Sequence, residues 1–243
     1  MKNTKNRIGS WFRHSIPAKM LAVGFLILVL LIPLGFVKDL IRERGFRQTE
    51  VIEEINTKWG KEVILNGPIL KVPYLTYVEE KVFDDKTKTF IVSQKPEKHL
   101  AYFFPWELNI QSDVKTQPLE RGIYESVVFT SQNAISGKFA QIDFSGKDIS
   151  NKDVLWEKAT LLFKTSNLKG IRNTVKITLG DHNYALKPKF DNTYLNTLES
   201  GYLKDLENIV SSTMAFQSNI TINGSQNLKY VPIGKETQVF MKS

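Results

Sequence analysis

From Met20 to Val37 the chain reads MLAVGFLILVLLIPLGFV, 18 residues without a charge, and no other feature so constrains what it can become. Extended by Ile16–Ala18, the stretch crosses a hydrocarbon core of about 30 Å at roughly 1.5 Å per helical residue. It predicts a spanning helix. Pro33 would break a soluble helix, but near the end of a membrane helix its freed carbonyl is satisfied locally, which predicts a kink or a thinned last turn. A cleaved signal peptide needs a shorter apolar core and a small-x-small cleavage site. A cut after Gly35 would put Pro33 where a small residue is required, and a charged helical pattern follows Val37, so the sequence predicts an uncleaved anchor.

Charge sets the orientation. The chain carries 33 Lys and Arg against 25 Asp and Glu, a net +8. Lys2, Lys5, Arg7, Arg13 and Lys19 place five positive charges and no acid before residue 20, leaving 28 basic and 25 acidic residues elsewhere. Basic residues gather on the cytoplasmic side of a span, so the N-terminus is expected inside and everything after Val37 outside. A nucleic-acid surface would carry its excess as a patch on the folded domain, and no nucleic-acid partner is expected. The chain has no cysteine, which removes disulfide scaffolds, thiol chemistry and a lipoprotein anchor.

Beyond the anchor, Ile41, Val51, Ile52, Ile55 and Trp59 fall at helical spacings and Gly60 is a stop signal. The helix is expected to continue there with Gln48, Ile52, Ile55 and Trp59 on the face that packs on a following domain. After Gly60 the period becomes alternating. Val63 and Leu65 precede an Asn66-Gly67-Pro68 turn, and Ile69–Val78 reads as a strand in which Pro73 argues for an edge or a bulge. Asp84-Asp85-Lys86-Thr87 suits a hairpin tip. Val175, Ile177 and Leu179 followed by Gly180-Asp181-His182-Asn183 and then Tyr184 and Leu186 read as a hairpin. Phe216, Ser218, Ile220 and Ile222 alternate before Asn223-Gly224 turns the chain toward Leu228 and Tyr230. Ala140–Phe144 and Leu161–Phe163 also suit strands, Ser150–Asp153 a helix cap, and Thr193–Asn208 a helix.

The predicted fold class is α+β, mostly β: one N-terminal transmembrane helix continuing into an amphipathic helix, then an extracytoplasmic, antiparallel, sandwich-like β domain. Residues 1–15 are read as a cytoplasmic basic tail, 16–37 as the transmembrane helix, 38–60 as the juxtamembrane helix and 61–243 as the β-rich domain. The expected partner of Ile16–Val37 is the lipid bilayer.

No constellation in the sequence points to catalysis, so no catalytic, cofactor-binding or metal-ligating residue is assigned. His14, His99 and His182 have no metal-ligand spacing, and there is no Gly-x-Ser-x-Gly elbow. Gly234-Lys235-Glu236-Thr237 lacks the upstream glycine of a phosphate loop. Glu79-Glu80 and Asp84-Asp85 are neighbours that point to opposite faces of a strand. The densest aromatic run, Tyr102-Phe103-Phe104-Pro105-Trp106, is expected in the core, with a glycan-stacking or membrane-interface surface as the alternative.

Several strings together resemble the CreD family of inner-membrane, cell envelope integrity proteins. In order they are Ile41-Arg42-Glu43-Arg44, Asn66-Gly67-Pro68-Ile69-Leu70 with Val72-Pro73-Tyr74, and Arg121-Gly122-Ile123-Tyr124-Glu125. Asp153-Val154-Leu155-Trp156, Lys169-Gly170-Ile171, Asn223-Gly224-Ser225-Gln226 and Val231-Pro232-Ile233-Gly234-Lys235-Glu236-Thr237 follow. The resemblance implies a bacterial inner-membrane protein linked to envelope integrity or envelope stress, controlled in some bacteria by a two-component system. It carries over no catalytic residue. It also implies more chain and further membrane helices beyond the Lys-Glu-Thr motif, so the β-rich domain is expected to be incomplete at its C-terminus. The expected function is binding or assembly with an unidentified envelope protein or glycan, without enzymatic activity. The alternative is an envelope glycan or peptide hydrolase or transferase whose site lies partly in absent sequence.

Overall fold

A computed structural model describes residues 16–84, 89–144, 146, 149–189 and 195–243. The basic tail 1–15 and the hairpin tip expected at 85–87 lie outside the described residues. The chain divides into two compact units, the first ending at Glu53 and the second running Glu54–Ser243.

Helix α1 spans Ile16–Trp59, 44 residues, and passes through Pro33 without interruption. Every side chain from Met20 to Val37 is exposed, and the helix is long and apolar enough to cross a membrane. Further along, Arg47 pairs with Glu43 at 2.8 Å, one turn apart. Gln48 is exposed, Ile52 and Trp59 are partly buried, and Ile55 and Asn56 are buried. The helix stops where expected, because Gly60 takes a φ of 103° open to glycine and the amides of Gly60 and Lys61 both donate to the Asn56 carbonyl, at 2.7 and 2.8 Å. These bonds satisfy the last turn.

The second unit is the expected α+β, mostly β architecture. Its strands are β1 (Val63–Asp84), β2 (Thr89–Phe103), β3 (Glu107–Arg121), β4 (Tyr124–Phe139), β5 (Thr160–Thr165), β6 (Lys176–Leu179), β7 (His182–Lys189), β8 (Asn196–Ser200), β9 (Met214–Gly224), β10 (Leu228–Tyr230) and β11 (Glu236–Lys242). They form one mixed sheet in the order β10-β1-β5-β8-β7-β6-β9-β4-β3-β11, with β2 paired to β1. The sheet folds over itself around one core. Leu70, Val72, Leu161, Phe163 and Leu198 from its first half share that core with Leu108, Ile110, Ile135, Phe139, Ile177, Phe216, Ile220 and Ile222 from the second.

Most pairs are antiparallel, as expected, but β10 lies parallel to β1 and β11 parallel to β3. Each reaches its neighbour by crossing from the opposite half rather than through a hairpin, so both run the same way as the strand they join. Three local readings also change. Asn66-Gly67-Pro68 is a register irregularity inside one continuous β1, falling between Asn66 and Ile69, rather than a turn between strands. Gly67 is required there, since a Cβ would lie 2.8 Å from the Phe163 ring. Thr193–Asn208 yields β8 and only a short helix, Leu206–Ile209. Only Leu198 of Asn-Thr-Leu-Glu-Ser is apolar, so no hydrophobic alternation reveals the strand. Ala140–Phe144 contains no strand; Ile142 and Phe144 bury themselves in the core from a loop whose Ile142 amide donates to the Val210 carbonyl at 3.1 Å.

The two halves are also joined by a polar contact through the core. The Tyr230 hydroxyl on β10 lies 2.6 Å from Asn133 Oδ1 on β4 and 2.8 Å from Ser112 Oγ on β3. Asn133 Nδ2 in turn donates to the Ile220 carbonyl on β9 at 3.1 Å. Tyr230→Phe is expected to cost about 1–2 kcal/mol of stability, because the phenyl ring keeps the packing while Ser112 and Asn133 lose a buried partner. A lower denaturant midpoint at unchanged slope is the result expected. An unchanged midpoint would mean that the contact is energetically silent.

Candidate functional site

A heavily charged concavity lies on the outer face of the β2-β1-β5-β8-β7 stretch. Cross-strand partners share a face, so the register fixes which residues meet there. Lys98 and Leu100 of β2 stand opposite Leu75 and Pro73 of β1; Lys71 of β1 stands opposite Thr160 of β5. Leu162 of β5 stands opposite Glu199 of β8, and Glu199 opposite Lys187 of β7, with Lys189 two residues along on the same face. Ile69 and Leu162 are buried on this outer face and stand outside the central core. The groove measures about 630 Å³, and its lining includes Lys71, Lys98, Lys158, Lys187 and Lys189 against the single carboxylate of Glu199.

Glu199 organises the floor. Its carboxylate pairs with Lys71, accepts from Thr160 Oγ1 at 2.8 Å and lies 2.5 Å from Lys189 Nζ. Its side chain is only 11% exposed and that of Lys71 14%. Burial opposes ionisation of Glu199, but hydrogen bonds from Lys189, Lys71 and Thr160 outweigh it and hold the carboxyl below its ordinary value. The other lysines are outward. Lys158 has only Glu157, at 3.9 Å, and no ion pair involves Lys98 or Lys187 among the described residues. Tyr202, 66% exposed, lines the rim beside Leu100 and Pro188.

The serine hydroxyl of the groove is already committed. Ser200 Oγ accepts the Leu161 amide at 2.9 Å and donates to the Gly201 carbonyl at 2.7 Å, while the neighbouring Lys71 ammonium is the partner of a carboxylate. A nucleophile needs a base within reach of a hydroxyl free to give up its proton, and Ser200 is not such a hydroxyl.

The residues singled out in the sequence are dispersed. His99 stacks on Tyr74 with ring centroids 5.5 Å apart, and His182 stacks on Tyr184 with Nε2 3.9 Å from Asp205. Glu80 pairs with Lys95 at 3.5 Å. Lys235 lies 3.5 Å over the Trp106 ring and Thr237 Oγ1 donates to the Gly234 carbonyl, so this stretch anchors a loop. Among the described residues, no group of three or more His, Cys, Asp or Glu is placed to hold a metal. The aromatic run divides by strand alternation: Phe103 packs edge-on against Phe144 and Pro105 is buried, whereas Tyr102, Phe104 and Trp106 face outward.

Sequence reasoning missed the groove. Its lysines come from β2, β1, the turn before β5, and β7, and an overall balance of 28 against 25 conceals their convergence. The signal present was weak: Lys71, Lys98, Lys187 and Lys189 are basic residues on strands, and Lys158 lies in the turn before β5. A family model described as Inner membrane protein CreD matches residues 15–243. No curated protein and no solved structure matches the chain.

Proposed function

Because the chain belongs to the CreD family of inner membrane proteins, we propose that it is a membrane-anchored binding module serving cell envelope integrity or the envelope stress response. It holds its β domain on the extracytoplasmic side and engages an envelope component there without transforming it. The observation that carries this reading is the groove: a concave surface whose carboxylate and whose Thr160 and Ser200 hydroxyls are tied into its own floor while Lys98, Lys158 and Lys187 face outward. Such a surface can attract and hold; it offers no group poised to make or break a bond. The five positive charges ahead of the spanning helix support the orientation.

Two experiments test this. A reporter fused after Gly60 is expected to be active only outside the cytoplasm, and cytoplasmic activity would reverse the topology. In living cells, a photo-crosslinker at Tyr202 is expected to capture a defined envelope component, whereas turnover of an envelope glycan or peptide by the purified full chain would replace binding with catalysis.

A further inference from the structure

We propose that the groove is a binding site for a phosphate-bearing ligand of the envelope, with Lys98, Lys187 and Lys158 as the contacting cations and Glu199 as the residue that positions Lys71 and Lys189 beneath them. This deepens the reading of the protein as a binding module and rests on it.

Three observations converge. The first is charge. Five lysines line a groove of about 630 Å³ whose lining holds one carboxylate, Glu199. Like charges gathered at this density repel one another, a cost that an anion in the groove removes. The second is residue type. The lining contains lysines and no arginine. Lysine binds phosphate as a mobile point charge, and several of them converging suit a ligand that presents more than one anionic oxygen. The third is shape. The volume falls in the range of small-molecule sites, and Leu100, Pro188 and the exposed ring of Tyr202 form an apolar rim against which a sugar or glycerol moiety packs.

Glu199 separates this from a chance meeting of surface lysines. Exposed lysines lose side-chain entropy when a ligand fixes them. Here Lys71 and Lys189 are already held by a carboxylate that is itself almost buried, so part of the site is ordered in advance.

The test uses the full chain in nanodiscs of phosphatidylcholine, with pyrophosphate as the soluble probe. Binding is followed by calorimetry, and contact by the rate at which individual lysines react with an acylating reagent. Pyrophosphate is expected to bind, to slow labelling of Lys98 and Lys187 selectively, and to weaken as salt rises from about 0.05 M to about 0.3 M. Lys98→Ala with Lys187→Ala should weaken binding about tenfold with no fall in melting temperature, since no ion pair is lost and repulsion is relieved, and Lys98→Arg with Lys187→Arg should retain it. A second arm replaces part of the phosphatidylcholine with phosphatidylglycerol. Protection of the same lysines there without pyrophosphate identifies the source as a lipid headgroup; protection by pyrophosphate alone identifies a soluble phosphorylated ligand. Absence of protection in both arms, or equal binding by the double alanine variant, overturns the site. A specific capture by the Tyr202 crosslinker would still stand in that case, so failure of the groove and failure of the binding reading are separable.

Discussion

Phe216→Ala is expected to lower the free energy of unfolding by about 3–5 kcal/mol, the range for removing a large aromatic side chain from a packed core. Phe216 is 1% exposed and sits 5.1 Å, ring to ring, from Phe139. Its cross-strand neighbour on β4 is Gly137, and the absence of a side chain there lets the ring lie across the strand. A Cβ on Gly137 would stand 2.8 Å from Phe216 Cζ and 2.0 Å from the Glu107 carbonyl oxygen. The ring thus covers backbone that would otherwise be bare, and truncating it opens a cavity that neighbouring strands cannot close, because β4 is held by β3 on one side and β9 on the other. Denaturant unfolding of the full chain in a nonionic detergent, followed by tryptophan emission, measures the loss. A decrease below about 1 kcal/mol would show that the site collapses and that the packing argument is wrong.

The core around Phe216 was legible because β9 writes it plainly: buried Phe216, Ser218, Ile220 and Ile222 alternate with Gln217, Asn219 and Thr221. The β6–β7 hairpin was legible for a similar reason, with Gly180 at a φ of 56° making the turn. β8 was not, because only Leu198 of Asn-Thr-Leu-Glu-Ser is apolar and no hydrophobic alternation marks it. Nor were the parallel additions of β10 and β11. A strand's partner is a nonlocal fact, and its own residues record that it is extended without recording its direction relative to a neighbour. The same limit hid the groove. Lys71 and Lys187 are 116 positions apart in sequence, and they share a surface only because β5 and β8 stand between β1 and β7 in the sheet.

Glu199→Ala is expected to destabilise the chain by about 2–3 kcal/mol, more than an exposed ion pair would warrant. Removing the carboxylate leaves Lys71, whose side chain is only 14% exposed, with an ammonium that can neither reach bulk water freely nor find another acid in the groove. It also strips Thr160 Oγ1 of its partner. Glu199→Gln separates the two effects, since an amide oxygen still accepts from Thr160 while the charge is gone. The pH dependence follows from the direction of the shift. The folded state holds the Glu199 carboxyl below its ordinary value of 4.5, so the native state binds this proton less readily than the unfolded chain. The stability it contributes is complete above about pH 4.5 and drains away as the pH falls through the lower folded value. Glu54, paired with Arg121 and Lys58, is held lower still, at about 2, and remains ionised over that interval. The gap in unfolding midpoint between the native chain and Glu199→Gln is therefore expected to be widest near neutrality and to close as the pH is lowered below 4.5. A gap that stays constant with pH would assign the loss to the hydrogen-bonding geometry of the floor and remove the carboxylate's charge as the group that holds Lys71 and Lys189 in place.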